Sequence, residues 1–487
     1  MNRLIILLLF IPELLFGQSD SLWVLGGFMP YQIQFTNGIT TLNSTVRPMN
    51  FLATNSSICN ELNQIMFYSN GVYVANQNDD TLLNSSGFNP GLYTDYYGSQ
   101  GVGIALYDGC VIIPKPNSPN HYFIFAESAE IVDYQGEQIP HPLFLNYSEI
   151  DMSLDNGLGG IIPGRKTIHV IDDTLSQGKI EAVRHANGRD WWIVIHRYRS
   201  NTFYKVLVTP DTVMIDHTQD IGLFNPHFNY LGQATFNRQG DKYCIQINDS
   251  TVDLYDFDRC SGILSNHQML MVADSAWDLL GNAFSPNGRY LYICNNFWIH
   301  QFDTWNSNVA STDQIVAQWD TFYAPGPTDF RTMRLAPDNR IYIANYVGDS
   351  MLHYIRYPDS AGIACEVVQN NFRTPGANTF VFPNSPNWSL GQLTGSGCDS
   401  LTAILDFKSR SSLEIHPNPS TTFFTWPENV HIKKVAIYTI TGYLYCSKLL
   451  SDENKTISTQ TLANGIYIVK LTDEYGVMYT DRLIVQH

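Results

Sequence analysis

The chemistry this chain could support begins with its carboxylates and histidines. Asp253, Asp256 and Asp258 lie on one strand and the turn after it, where closely spaced oxygens are what a calcium ion requires. Asp303 and Asp359 stand at similar places further along. That recurrence favours turn capping, because Asp bonds its own backbone at turns. His185 and His196 flank a strand bearing Trp191 and Trp192 and have no recognisable carboxylate partner, which suits a structural role better than acid-base work. Asp151 and Asp155 are candidates for the carboxylate pair of glycoside chemistry, which the two groups perform only at a set separation.

The run GGIIPGRKT (residues 159–167) has the look of a phosphate-binding loop. In that motif Lys follows the last Gly directly and a helix comes next; here Arg165 intervenes and Pro163 stiffens the turn. There is no GxSxG elbow, HExxH helix, EF-hand loop or paired CxxC. The sequence therefore assigns no catalytic, cofactor or metal site.

The elements that would position these groups repeat. HANGRDWWIVIH (185–196), FNRQGDKYCIQI (236–247), FSPNGRYLYIC (284–294) and LAPDNRIYIAN (335–345) each place a polar turn before a β-branched and aromatic strand. Their turn residues Gly188, Gly240, Gly288 and Asn339 are 52, 48 and 51 positions apart, a period near that of a four-stranded propeller blade. Fainter copies occur at 62–76 and 116–128, and LWVLGG (22–27) with YQIQFTNG (31–38) opens the series. The expected fold is all-β: a β-propeller of about seven blades, then a small C-terminal β-sandwich. Ring closure is expected to pair the strand near Trp23 into one blade with strands around 380–390, since closing a sheet array protects its edges.

Composition agrees. The 487 residues carry 28 Tyr and 26 Phe, suited to pleated surfaces, and only 15% charged side chains. The net charge of -17 disfavours nucleic acid, whose binding needs a basic footprint.

Residues 4–10 (LIILLLF) follow the single positive charge of Arg3 and precede a small-residue cut at Gly17 and Gln18, the layout of a secretory signal peptide over 1–17. No later run is apolar and long enough for a transmembrane helix. Seven Cys (Cys59, Cys110, Cys244, Cys260, Cys294, Cys365, Cys398) fall in 18–401 and one, Cys446, near the end, so at least one free thiol is expected in the larger region. Cys244 and Cys294, inside apolar strands, read as small buried hydrophobes.

After a linker at 402–412, the segment 413–487 changes texture to short alternating strands. Pro417, Asn418 and Pro419 open it. Val435 to Tyr438 with Gly442, the stretch LANGIY containing Gly465 and Tyr467, and a closing strand from Arg482 follow. This segment resembles the C-terminal sorting domain (type A) of the type IX secretion system of Bacteroidetes, with Arg482 where the family usually has Lys. The resemblance implies a folded tag, read by the export machinery at the outer membrane and normally removed there, with the cargo released or attached at the cell surface.

Residues 22–401, through phrases at 99–125, 151–159, 187–203 and 382–401, are similar to secreted Bacteroidetes propeller proteins. That likeness implies fold and export, not an activity. Asp followed by Ser or Thr at Asp20, Asp80, Asp173, Asp211, Asp249, Asp274, Asp349, Asp359 and Asp399 resembles the O-glycosylation signal of such proteins and equally reads as ordinary turns.

On this reading the propeller is a non-enzymatic binding or adhesion module for a glycan, peptide or protein. Trp191, Trp298, Trp305 and Trp388 are possible contacts. The alternative is a hydrolase or lyase acting on extracellular polysaccharide, with convergent carboxylates or His at the central channel.

Overall fold

In the computed structural model the chain divides into two compact units, Met1–Leu401 and Thr402–His487. The structure describes residues 21–398 and 415–487, apart from 28, 37, 61, 135–136, 225–231, 247–250, 273–278, 346–348, 428–429, 440–443, 451–454 and 474–477. Gly17, Gln18, the linker and Gly442 lie outside the described residues.

Blade 4 shows how the sequence dictates the first unit. Its strands Glu181–Arg184, Trp191–His196, Thr202–Val208 and Val213–Asp220 pair antiparallel in chain order. The second strand, WWIVIH, is buried at every position, because neighbouring blades cover both of its faces. The outermost strand, VMIDHTQD, alternates half-buried with exposed residues, as an edge strand facing water must. Blades 5, 6 and 7 repeat the plan with inner strands Ala234–Phe236, Leu279–Phe284 and Met333–Leu335. The turn marks Gly188, Gly240, Gly288 and Asn339 have φ of 70°, 73°, 75° and 64°, the left-handed region that Gly and Asn enter at least cost.

Blade 1 (Leu22–Leu25, Tyr31–Thr36, Ile39–Ser44) and blade 2 (Ser56–Cys59, Ile65–Ser69, Val74–Asn76) have three strands each. Blade 3 is built from Cys110–Pro114, His121–Ala126 and Phe144–Asp151, with Gly160–Ile161 and Ile168–Asp172 sharing its outer edge. An extra hairpin, Glu130–Tyr134 with Glu137–His141, and a short helix, Leu92–Ser99, decorate this side. From blade 1 to blade 7 each inner strand neighbours the next in chain order. The fold is a seven-bladed β-propeller.

The expected mode of closure needs correction. The Trp23 strand pairs only within its own three-stranded sheet, and residues 380–390 form no strand. Blade 1 instead meets blade 7 through packed rings. Trp23 lies 5.9 Å from Tyr342 and 5.3 Å from Phe382 between ring centres, and Phe35 lies 6.0 Å from Tyr342. Thr40 Oγ1 donates to Asp338 at 2.9 Å and the Tyr31 hydroxyl to Asn378 at 2.5 Å. Trp388 does not join this seam; it packs with blades 3 and 4.

The seam is possible because residues 374–398 cross the ring. Asn378 contacts blades 1 and 7, and Phe380 N–H donates to Leu52 O. The buried Asn384 amide donates to Ile180 O at 2.8 Å and Cys110 O at 3.2 Å, while Ser56 Oγ donates to its carbonyl. Asn387 Nδ2 donates to Arg238 O, Arg184 donates to Trp388 O, and the run ends in the disulfide Cys260–Cys398. A chain without strand partners stays folded here because side chains and remote carbonyls satisfy its backbone groups. The propeller cysteines Cys110, Cys244, Cys294 and Cys365 are buried and form no disulfide among the described residues, Cys59 is buried with its thiol donating to Leu22 O, and Cys446 is exposed.

One close approach yields a sharp expectation. Gly178 has φ 64° and donates its N–H to Glu127, and a Cβ there would sit 1.9 Å from Tyr107 O. Gly178→Ala is expected to destabilise the propeller by about 2 kcal/mol or more through backbone displacement and strain, read as a lowered denaturant midpoint.

The second unit packs a four-stranded sheet, in the order Leu444–Leu449, Ile432–Thr439, Gly465–Asp473, Met478–Val485, with the pair Phe423–Thr425 and Thr456–Ser458. Its own core holds Phe424, Trp426, Val435, Ile437, Val469 and Leu483, giving a small β-sandwich.

Candidate binding site in the central channel

The crossing segment leaves part of the channel open. A cavity of about 320 Å³ lies between the inner strands of blades 4 to 7 and residues 385–390. Its wall includes Glu181 from blade 4, Thr235 and Arg238 from blade 5, Arg334 from blade 7, and Asn387 and Ser389 from the crossing segment. Phe236, Phe284, Met333 and Leu390 add apolar surface. Ser389 is exposed and marks the open side.

Charged groups from three blades converge behind this wall. Arg334 Nη2 donates to Asp108 at 2.9 Å, and its Nη1 is 3.9 Å from Glu181 Oε1. Gln233 ties the group together, donating to Asp108 at 3.3 Å and accepting from Met333 N–H. Burial pushes the Glu181 carboxyl up to about 8; Arg334 pulls it down and Asp108 pushes it up again. Burial likewise raises Asp108 against the pull of Arg334. Arg238, nearer the mouth, donates to Asn339 Oδ1 at 2.6 Å and to Ala336 O at 3.3 Å, so it spans from blade 5 to blade 7.

Most of the residues singled out in the sequence lie elsewhere. Asp253 accepts from His267, Asp256 from Lys242 and Asn266, and Asp258 caps its turn through Cys260 N–H and Ser261 Oγ. Asp303 caps Trp305 N–H and pairs with Arg289, and Asp359 accepts from Asn287 N–H. No cluster of three or more metal-ligating side chains occurs among the described residues. Asp151 caps Ser153 N–H and lies 3.7 Å from His121, while Asp155 is exposed at the start of the short 3-10 helix Asp155–Gly157; neither lines the cavity. Lys166 of the 159–167 run donates to Ser86 O and a strand, not a helix, follows.

His185 donates through Nε2 to Cys260 O at 3.0 Å, and Nδ1 accepts Asn187 N–H. His196 is 3% exposed beside Ser176 Oγ, and burial holds its pKa down at about 3. Because this folded pKa lies below the unfolded 6.5, the unfolded chain binds a proton that the fold refuses. The stability His196 contributes is therefore present above pH 6.5 and lost as pH falls from there toward 3. His196→Gln is expected to make the loss between pH 6.5 and 5 shallower by up to about 2 kcal/mol, measured by chemical denaturation at both values.

Trp191 is fully buried under Arg184, whose guanidinium sits 4.1 Å from its ring. Trp298 is half-buried, Trp388 is buried, and Trp305 is exposed. Of the Asp-Ser/Thr positions, Thr81, Thr212 and Ser350 are exposed, whereas Asp20, Asp249, Asp274 and Asp399 lie outside the described residues.

In the second unit Asn418 receives Ile484 N–H at 2.8 Å and donates to Arg482 O, so the Pro417-Asn418-Pro419 turn is fastened to the last strand. The Tyr467 hydroxyl donates to Ala463 O, Gly465 begins its strand opposite Val485, and Arg482 faces Ile468 across the ladder. Residues 414–486 match the family described as secretion system C-terminal sorting domain. The chain ends in a type IX secretion sorting domain.

No curated protein matches the chain. Similar solved structures include a putative 6-phosphogluconolactonase from Bacteroides uniformis, at 10% identity over 96% of this chain and 98% of that one with a TM-score of 0.37. A periplasmic gluconolactonase from Pseudomonas aeruginosa is 11% identical over 74% and 99%, with a TM-score of 0.35. The β-propeller domain of Cps50 (Swd1) from Myceliophteria thermophila is 8% identical over 67% and 90%, with a TM-score of 0.36. At such identities and scores these likenesses carry no functional argument. Among the described residues no helix is long and apolar enough to cross a membrane.

The channel group was hidden in the sequence because its members stand far apart in the chain and come from different blades. One signal exists. Glu181 and Gln233 stand seven residues before the turn marks Gly188 and Gly240, where blades 6 and 7 have Gly281 and Thr332. Arg334 stands five before Asn339, where the other three blades have Val183, Thr235 and Ala283. Charged outliers in an otherwise small or neutral column mark the channel wall.

Proposed function

We propose that this chain is a cargo of type IX secretion, of the Bacteroidetes type A kind, delivered to the cell surface or the medium after removal of a leader over 1–17. Its propeller serves there as a non-enzymatic binding or adhesion module. The observation that carries the reading is the separately cored unit whose residues 414–486 match the sorting-domain family. The secretion machinery is then one partner, and a glycan, peptide or protein ligand of the propeller is the other.

Binding is favoured over hydrolysis by the cavity wall. Glycoside cleavage needs two carboxyl groups flanking the bond. Among the described residues Glu181 is the one carboxyl lining the cavity and no histidine lines it, and Asp108 behind it is engaged by Arg334. A panel of glycans and polysaccharides incubated with the purified protein is expected to show retention without breakdown. Release of shorter sugars that disappears in Glu181→Gln would establish the hydrolase or lyase instead.

A further inference from the structure

Blade 1 ends differently from its neighbours. It stops at three strands, and among the described residues no strand pairs with the outer edge of Ile39–Ser44. Blade 2 also stops at three, but its last strand is covered: Asn76 N–H donates to Asp80 O, Leu82 N–H to Val74 O, and Ala75 bridges Thr81. In each of blades 3 to 7 the outermost pairing breaks register once, as between Lys205 and Val206 in blade 4. Such bulges twist an edge away from any further strand. The pairing of Tyr31–Thr36 with Ile39–Ser44 runs its full length without a shift. The outer strand, ITTLNS, also has no charge and no proline, the other devices that keep sheet edges apart.

The ladder fixes what this edge offers. Bonded and non-bonded pairs alternate along antiparallel strands. Thr45 N–H donates to Pro30 O at 3.1 Å, so Asn43, Thr41 and Ile39 also bond inward, to Gln32, Gln34 and Thr36. Thr40, Leu42 and Ser44 therefore direct their N–H and C=O outward. An antiparallel strand of the same sequence meets every one of these groups, with Leu42 on Leu42 at a two-fold axis and Thr40 on Ser44 to either side. That register sets Ile39 of one copy against Thr45 of the other, next to Val46. Ile39 is 65% and Val46 97% exposed in the single chain, at opposite ends of the strand, and antiparallel pairing of two copies brings these ends together.

Charge favours a second copy over a different partner. Nearby Arg47 is paired with Asp79 at 2.9 Å, and Asp338 is taken up by Thr40 and Tyr342, so no free charge is left to select a charged strand. On a molecule of net charge -17 this neutral window is where a like copy meets no like charge across the axis.

We propose that two copies of this chain associate side by side through Ile39–Ser44, pairing antiparallel about Leu42 so that the two copies of blade 1 form one continuous sheet. This goes beyond the binding-module reading and stands without it. Strand pairing alone buries less than a standard interface, so the association is weak and depends on concentration. Two propellers held together engage a multivalent surface more tightly than one.

The test is sedimentation velocity of the leaderless full chain from about 1 to 200 µM, the range in which so small an interface assembles. Ionic strength is physiological, where a Debye length of about 8 Å screens the repulsion between copies. Wild type is expected to pass from monomer to dimer. Thr41 and Asn43 are exposed, and the register sets each against the other across the axis. Thr41→Lys with Asn43→Lys therefore opposes lysine to lysine twice, and is expected to raise the dissociation constant about tenfold or more at an unchanged thermal midpoint. Thr41→Asp with Asn43→Asp is expected to do the same. An equimolar mixture of the two variants is expected to restore the dimer, which no effect on the fold of either variant would produce.

A wild type that stays monomeric throughout would overturn the proposal and leave the edge to an extended segment of another protein. A dimer indifferent to the paired lysines, or a mixture no better associated than its parts, would put the interface elsewhere and overturn it as well.

Discussion

Removing residues 413–487 is expected to leave a folded propeller stranded in the periplasm, with the surface and medium fractions falling to background. The second unit has a core of its own, from Phe424 and Trp426 to Val469 and Leu483, so its loss takes no core residue from the propeller. A tag read as a folded surface must also fail when its fold fails. Leu483 is fully buried, and a charge there has no partner, which costs several kcal/mol in a sandwich this small. Leu483→Asp should therefore copy the deletion while leaving the propeller's denaturation midpoint unchanged. Fractionation with protease shaving of intact cells measures both. Propeller found outside the outer membrane without residues 413–487 would remove the basis for calling this unit an address.

Legibility followed locality. The turn marks Gly188, Gly240, Gly288 and Asn339 could be found because a hairpin's demands are met within a dozen residues: a left-handed position between two apolar strands. Their spacing then gave the blade period. Strand character on both sides of these turns was readable for the same reason, and WWIVIH reads as continuous apolar sequence because blades cover both faces.

The closure was not readable. Residues 374–398 show no alternation because they form no strand; their hold comes from side chains reaching carbonyls far away in sequence. Asn384 bonds Ile180 and Cys110, and Asn387 bonds Arg238. An Asn in such a run looks like any turn residue, and nothing nearby reveals that its amide will satisfy two inner strands. The disulfide Cys260–Cys398 was equally open, since eight cysteines permit many pairings. Asp108, Glu181 and Arg334 were missed because the ring, not the chain, brings them together.

Trp23→Ala is expected to be the most damaging single truncation of the propeller. The indole is 1% exposed, and its neighbours come from three separate stretches: Phe35 of blade 1 at 5.0 Å, Tyr342 of blade 7 at 5.9 Å, and Phe382 of the crossing segment at 5.3 Å. A buried Trp cut to Ala costs about 3–5 kcal/mol when the site cannot collapse. Here collapse is resisted because each wall belongs to a different part of the ring. Where strands are shared, backbone hydrogen bonds survive a lost side chain. This seam rests on packed side chains and a few polar contacts such as Tyr31 to Asn378, so the loss falls on closure itself. The denaturant midpoint of the leaderless chain should drop accordingly, with blades 1 and 7 exchanging amide hydrogens before blades 3 and 4. Trp305→Ala, at an exposed position, should change little. A Trp23→Ala protein as stable as the wild type would mean that the crossing segment and its disulfide close the ring unaided.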